Sequence, residues 1–357
     1  MKNKKKFSFE NLAKNKTYFI ADIAANHDGS LARAKKLIKL CAKAGANAAK
    51  FQHFKAETIV SDEGFKSLGK LTHQKKWKES VFDVYKKASI NPKWNKELKK
   101  ECKKNKIDYM TAPYDLDYVD EVESDIAAYK IGSGDITWRE ILEKISKKKK
   151  PCILATGASS FNDVVRAVKI FQKNNKNKLV LMQCNTNYTS SEDNIKFLNL
   201  NVLNLYKKKF SNNVILGLSD HTHGHLSVIA AVALGARVVE KHFTDNNNRY
   251  GPDHKFSMNT LTWKKMVDEV RVLEKALGNE KKIIEKNEIE SSIVQRRGAW
   301  LNRDVKKGEI LKKKMINFLR PCPKNSIDIF NIEKYVGKKF NKPLKKNSLI
   351  TSKCLSK

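Results

Sequence analysis

Two short apolar runs, residues 214–218 and 236–240, each end in a polar cluster, Ser219-Asp220-His221 and Lys241-His242. Residues 226–234, between them, are apolar enough for a buried helix. The pattern predicts strand, helix, strand, with a histidine just past the end of each strand. In a parallel α/β sheet, side chains at the C-terminal strand ends face the ligand site. Two neutral imidazoles on neighbouring strands could hold one divalent cation and leave most of its positions open. A lone histidine is more often an ordinary loop hydrogen-bonder. Two at matched strand ends, with Ser, Asp and Lys beside them, favour the metal.

Other residues supply a second chemistry. Lys50 and Lys130 each bring a fixed positive charge, Thr111, Ser133 and Ser219 bring hydroxyls, and Gly132 and Gly134 let backbone N–H groups approach a bound anion. Together they read as a phosphate or carboxylate cradle. A cation beside such a cradle suits addition to a carbonyl, with the metal as Lewis acid. Asp22, Asp135 and Asp253 are candidates to move protons or hold hydroxyls, which implies a sugar-like acceptor. No dinucleotide loop or Walker A motif is present, and the Gly132–Gly134 stretch is too short to count as one.

These residues need elements to position them. Apolar runs at 18–24, 48–51, 107–111, 127–131, 152–155, 179–183, 214–218 and 236–240 predict eight strands. Helical periodicity follows each, at 31–44, 92–105, 117–124, 139–146, 162–173, 194–210, 226–234 and 262–277. Eight such units favour a closed (β/α)8 barrel over an open doubly wound sheet. Asp22, Asn26, Lys50, Gln52, Thr111, Lys130, Ser133, Asp135, Thr156, Tyr188, Ser219, His221, Lys241 and His242 all fall at or just past strand ends and should converge on one mouth. Residues 55–89 form a long polar insertion, which Trp77, Phe82 and Tyr85 would pin, of a length typical of lids or binding loops.

The domain plan is a basic lead-in at 1–16, a barrel at 17–278, a charged linker at 279–291, and a small β-rich domain at 292–357 with turn-like repeats. The 357 residues carry a formal net charge of +34, spread along the chain in lysine runs among asparagines. That dispersal, with no recognition module, reads as solvated faces rather than a specific nucleic-acid site. The six cysteines have neither CxxC pairs nor framework spacing, so free thiols in a reducing cytoplasm are expected. No transmembrane run or secretory leader is apparent.

Taken as a set, IADIAANHDG, AAKFQHFKAETI, TAPYD, YKIGSGD, ILATGAS, LMQCNTNY, GLSDHT, EKHFT and GPDHKFS resemble the sialic acid (N-acetylneuraminate) synthase family. The tail resembles the antifreeze-like SAF domain that follows the barrel in that family. The resemblance implies condensation of phosphoenolpyruvate with an N-acylated hexosamine, giving a nonulosonic acid and phosphate. The acceptor would be N-acetylmannosamine or a 2,4-diacetamido-6-deoxyhexose. It implies that His221 and His242 hold a divalent metal, most often Mn2+, with Mg2+ or Co2+ as alternatives. By the same resemblance Lys50, Thr111, Lys130, Ser133, Tyr188 and Ser219 would hold phosphoenolpyruvate, and Gln52 and Asp253 would face the sugar. Arg320 would reach the N-acyl group in a partner subunit, which implies a domain-swapped homodimer. The chain departs from the family pattern at Asp22 and Asp135, where Glu is usual or frequent, and at Ala158, Thr189 and Cys322. Two other readings stand beside this one. The first is another phosphoenolpyruvate-condensing keto-acid synthase or a phosphate-binding aldolase. The second is a non-enzymatic carbohydrate or polyanion binder.

Overall fold

The computed structural model describes residues 7–12, 16–69 and 77–356. After Gly278 the chain divides into two compact units. The first is a closed barrel of eight parallel strands in chain order, β1 Tyr18–Asp22, β2 Ala48–His53, β3 Asp108–Pro113, β4 Tyr129–Ile131, β5 Cys152–Ala155, β6 Leu179–Cys184, β7 Val214–Asp220 and β8 Val238–His242. β8 closes on β1, with Asp22 opposite His242. A helix follows every strand, as the apolar spacing predicts. Hydroxyl and amide caps fix where several helices begin: Ser30 accepts from Arg33 N, and Ser160 and Asn259 form capping boxes.

Period-two alternation sorts the strand residues into two layers. Ile20, Ala48, Met110, Ala128, Ile153, Val180, Met182 and Val238 fill the barrel interior. Phe19, Ala21, Phe51, Tyr109, Tyr129, Leu154, Leu181 and Val239 face the helices. Gly217 belongs to the inner layer, where a Cβ would come within 2.8 Å of both the Val238 carbonyl and the Met182 side chain. The barrel is too tight there for any larger residue.

Four local expectations are corrected. The predicted helix at 194–210 is a 3-10 segment, Glu192–Phe197, and a separate helix, Val202–Phe210, because Asn199 adopts a left-handed φ of 47° between them. The basic lead-in is partly built into the fold: Phe9 is buried against Tyr18, with ring centroids 5.5 Å apart, and joins the barrel interior. Residues 1–6 and 13–15 of that lead-in lie outside the described residues. The insertion at 55–89 contains three short helices, Ala56–Ile59, Asp62–Leu68 and Val81–Ala88, and residues 70–76 are likewise outside the description. Finally, β7 and β8 each run two residues further than the apolar runs suggest, so His242 is the last residue of its strand rather than the one beyond it.

The second unit pairs β9 Gly298–Leu301 antiparallel with β10 Ile316–Leu319 and adds isolated bridges such as Val305 with Leu344. It buries its own core around Leu301, Leu311, Phe340 and Ile350. Arg320 is exposed just after β10. All six cysteines are free, five of them buried and Cys322 half-buried. Among the described residues, no helix is long and apolar enough to cross a membrane.

Candidate active site

The inward positions at the C-terminal ends of the strands are Asp22, Lys50, Gln52, Lys130, Ser219, His221, Glu240 and His242. They line one cavity of about 420 Å3 together with Ser133, Asp135 and Tyr188 from the loops. Gly132 also lines it, and a Cβ at that residue would strike the Tyr114 hydroxyl at 2.8 Å. The Ser133 hydroxyl accepts from Gly157 N–H at 2.9 Å, which sets the loop over the strand end. Ala24 and Ala158 sit at φ of 43° and 50°, conformations costly for a residue with a Cβ, on the two loops that edge the mouth.

The floor of the cavity is a chain of buried charges. Lys50 Nζ lies 2.7 Å from Asp22 Oδ2 and 3.9 Å from Glu240 Oε1, and Lys130 Nζ lies 2.5 Å from Glu240 Oε1. Burial alone would raise the Glu240 pKa, but Lys130 and Lys50 outweigh it and lower the value to about 2. At Asp22 the balance is the reverse: burial, with the Glu240 charge adding to it, raises the pKa against the pull of Lys50. Ser219 donates to Glu240 at 3.3 Å, and Glu240 Oε2 is buried with no hydrogen-bond partner.

The two imidazoles stand at the cavity wall with ring centroids 5.4 Å apart. Tyr188 packs on His221 at 4.4 Å, and Phe256 lies 4.9 Å from His242. Burial holds both rings neutral. The His221 pKa falls to about 4, helped by His242, and the His242 pKa falls to about 3, helped by Lys50. His221 Nδ1 is 2.9 Å from the Asn185 carbonyl. That acceptor puts the ring proton on Nδ1 and leaves the Nε2 lone pair available to a cation. His242 Nδ1 is buried without a hydrogen-bond partner. Two neutral imidazoles, one with a fixed tautomer and one with an unmet nitrogen, fit a two-ligand cation site. Among the described residues no group of three or more His, Cys, Asp or Glu side chains could hold a metal, so such a cation would keep positions for water or substrate.

Two carboxyls edge the cavity in a more neutral state. Burial raises the Asp135 pKa to about 6 and, with the Asp22 charge adding to it, the Asp253 pKa to about 7. Asp253 also accepts from Ala25 N–H at 3.0 Å and lies 4.0 Å from His242 Nδ1. Gln52, Tyr188 and His242 connect the charged floor to a chamber that includes Asp253. Beyond it opens an outer chamber of about 630 Å3, walled by Trp77, Val84, Ala88, Tyr250, Pro252 and Phe256.

Four residues expected in the mouth face elsewhere. Thr111 is fully buried on the outer face of β3, where its hydroxyl donates to the Phe51 carbonyl at 2.9 Å and contacts His53 Nδ1 at 2.7 Å. Thr156 bonds the Met182 carbonyl and Tyr206 under a helix. Asn26 ties the β1 loop to Phe243 and Ser257. Lys241 points outward and pairs with Asp220 at 2.6 Å. Glu240 is the floor residue that motif reading passed over. Its parity with His242 was the available signal, because residues two apart on a strand share a face.

A (β/α)8 barrel with a buried lysine pair and a neutral imidazole pair in one C-terminal mouth has the layout of an enzyme for a small anion and a polar partner. The chain belongs to the NeuB family, whose profile matches residues 37–282, and a SAF domain match covers residues 296–356. It is 36% identical over 339 residues to the N,N'-diacetyllegionaminic acid synthase of Campylobacter jejuni, spanning 94% of this chain and 99% of that one. It is 34% identical over 310 residues to a pseudaminic acid synthase of the same species, spanning 86% and 88%. Among solved structures, the N-acetylneuraminic acid (sialic acid) synthetase of Leptospira borgpetersenii is similar at 28% identity and a TM-score of 0.67, over 77% of this chain and 90% of that chain.

Proposed function

We propose that this protein condenses phosphoenolpyruvate with an N-acylated hexosamine to give a nonulosonic acid, with release of phosphate. One observation carries the reading: the buried Lys50–Lys130 floor and the His221–His242 pair share a single cavity. The relatives named as synthases of legionaminic and pseudaminic acid support the same chemistry. In this reading Lys50, Lys130, Ser133 and Ser219 bind the phosphate and carboxylate of phosphoenolpyruvate. His221 and His242 hold a divalent cation, Mn2+ by preference, which when bound supplies Lewis acidity at the aldehyde oxygen. Asp135 and Asp253, with pKa values raised toward neutrality, are placed to give and take protons as the sugar hydroxyl forms and water adds. Tyr188, which lines the same cavity, borders the bound phosphoenolpyruvate, and Gln52 orients the acceptor between floor and outer chamber.

The apolar walls of the outer chamber favour an acceptor with methyl and acetamido groups, a 2,4-diacetamido-6-deoxyhexose, over N-acetylmannosamine. Arg320 reads the acyl group of that acceptor from a partner subunit, in a homodimer that exchanges its small domains. The free thiols fit a reducing compartment, and we assign the reaction to the cytoplasm.

The test is phosphate release from phosphoenolpyruvate with Mn2+ across N-acetylmannosamine, its 6-phosphate, a 2,4-diacetamido-6-deoxyhexose, arabinose 5-phosphate and erythrose 4-phosphate. Release with the diacetamido sugar is expected. Release only with a non-acylated phosphosugar would overturn the reading in favour of another keto-acid synthase.

A further inference from the structure

The floor that should attract an anion is already neutralised. Lys50 is paired with Asp22, Lys130 is paired with Glu240, and none of the four side chains is more than 4% exposed. A multiply charged anion entering this floor must compete with two carboxylates for two ammonium groups. Like charges crowded in a buried site oppose that entry strongly. Something has to loosen one of the carboxylates.

Asp22 is built for this. Its Oδ1 accepts from Ala24 N–H at 3.1 Å, which anchors one side of the carboxylate. Its Oδ2 is the shared side, 2.7 Å from Lys50 Nζ and 3.6 Å from His242 Nε2. The same oxygen therefore stands between the lysine of the anion floor and an imidazole of the proposed cation site. Glu240 differs. Its Oε1 is committed to Lys130 and Ser219, with Lys50 at 3.9 Å, all on the anion side.

We infer that Asp22 couples the two sites. When a divalent cation occupies the imidazole pair, the Asp22 carboxylate turns from Lys50 toward it. Lys50 then keeps only the more distant Glu240, at 3.9 Å, and can turn to phosphoenolpyruvate, so cation and anion each strengthen the other's binding. Glu240 sets the resting affinity of the floor without taking part in this exchange. The inference rests on the function proposed above, but it concerns binding and is read without turnover.

The experiment measures phosphoenolpyruvate affinity by calorimetry, with and without Mn2+ and with no acceptor sugar. Free Mn2+ is followed by electron paramagnetic resonance with and without phosphoenolpyruvate, after subtracting the complex the two form in solution. Phosphoenolpyruvate is expected to bind at least about tenfold more tightly with Mn2+, and Mn2+ to gain by the same factor, as linkage requires. Asp22→Asn should strengthen phosphoenolpyruvate binding in the absence of metal and reduce the coupling to roughly threefold or less, below the range of usual couplings. Glu240→Gln should strengthen phosphoenolpyruvate binding with and without metal and leave the coupling intact. Equal affinities with and without Mn2+ in a wild-type protein that turns over would overturn the inference and leave the function standing. Full coupling retained in Asp22→Asn would overturn the role of Asp22 and assign the effect to direct contact between cation and anion. If phosphoenolpyruvate binds under no condition, the functional reading fails, and the coupling fails with it.

Discussion

Asp220→Ala tests how the two histidines are held. Asp220 and Lys241 are register partners at the ends of β7 and β8, each next in sequence to one of the imidazoles. They face outward, are buried to 1% exposure, and form an ion pair of 2.6 Å. Asp220 also accepts from Ser227 Oγ at 2.5 Å and from Thr222 N and Oγ1 at 2.9 and 2.8 Å. Alanine leaves Lys241 with the Thr222 carbonyl at 2.7 Å as its remaining hydrogen-bond partner. Breaking a buried pair in this way costs about 3–5 kcal/mol, because a buried charge loses its counter-ion. At roughly 2–4 °C per kcal/mol for a domain of this size, the barrel should melt on the order of 10 °C lower. Burial alone would raise the Asp220 pKa, but Lys241 outweighs it and holds the value below the usual 3.8. The pair's contribution is therefore complete above that pH and fades only as the pH falls through the lowered value.

Circular dichroism melts give the stability, and a Mn2+ titration at 25 °C gives the functional consequence. Strand ends that are no longer clamped should weaken Mn2+ binding although neither imidazole is altered. Asp220→Ala with Lys241→Met removes both charges and should recover most of the lost stability. A loss below about 1 kcal/mol in the single variant, within the range of surface pairs, would refute the reasoning. So would a double variant as unstable as the single one.

Three further outcomes follow from the site. His221→Ala and His242→Ala should each abolish Mn2+-dependent phosphate release while the melting temperature stays within a few degrees of wild type; retained metal-dependent turnover would remove the imidazole pair from the chemistry. Asp135, with its pKa raised to about 6 by burial, should contribute an ionisation near that pH to kcat/KM that disappears in Asp135→Asn. Between the ordinary value of 3.8 and about 6 the folded chain keeps a proton that the unfolded chain has lost, so this group's support for folding falls as pH rises through that window, and the asparagine variant should lack the slope. Arg320→Ala should raise the KM for the acceptor more than that for phosphoenolpyruvate, whereas equal changes in both would point to a general closing role.

The barrel was legible because its strands are buried on both faces and therefore read as unbroken apolar runs with polar ends. The break in the 194–210 segment is not legible because its apolar spacing runs on through Asn199, where a left-handed backbone angle ends the first turn and no side-chain pattern records it. The imidazoles, the two lysines and the aspartates were legible as polar residues in apolar context. Their facing was less so. Thr111 and Lys241 are strand-end residues of suitable type, but alternation puts them against the helices, where His53 and Asp220 meet them. Glu240 was hidden by its position at the end of an apolar run. Its pairing with Lys130 spans 110 residues, and only the closed barrel brings the two together.

The alternation of the strands has a consequence for how this chain can change. In β8, Glu240 and His242 face the cavity and Lys241 faces the helices, so gain or loss of one residue within the strand would turn the carboxylate and imidazole outward and the lysine inward. Insertions and deletions are therefore excluded from the segments that carry the floor. The 55–89 segment, which supplies Trp77, Val84 and Ala88 to the outer chamber, is under no such register and can vary in length. On the function proposed above, the acceptor could thus be exchanged by editing one loop while the strand-borne floor stays fixed.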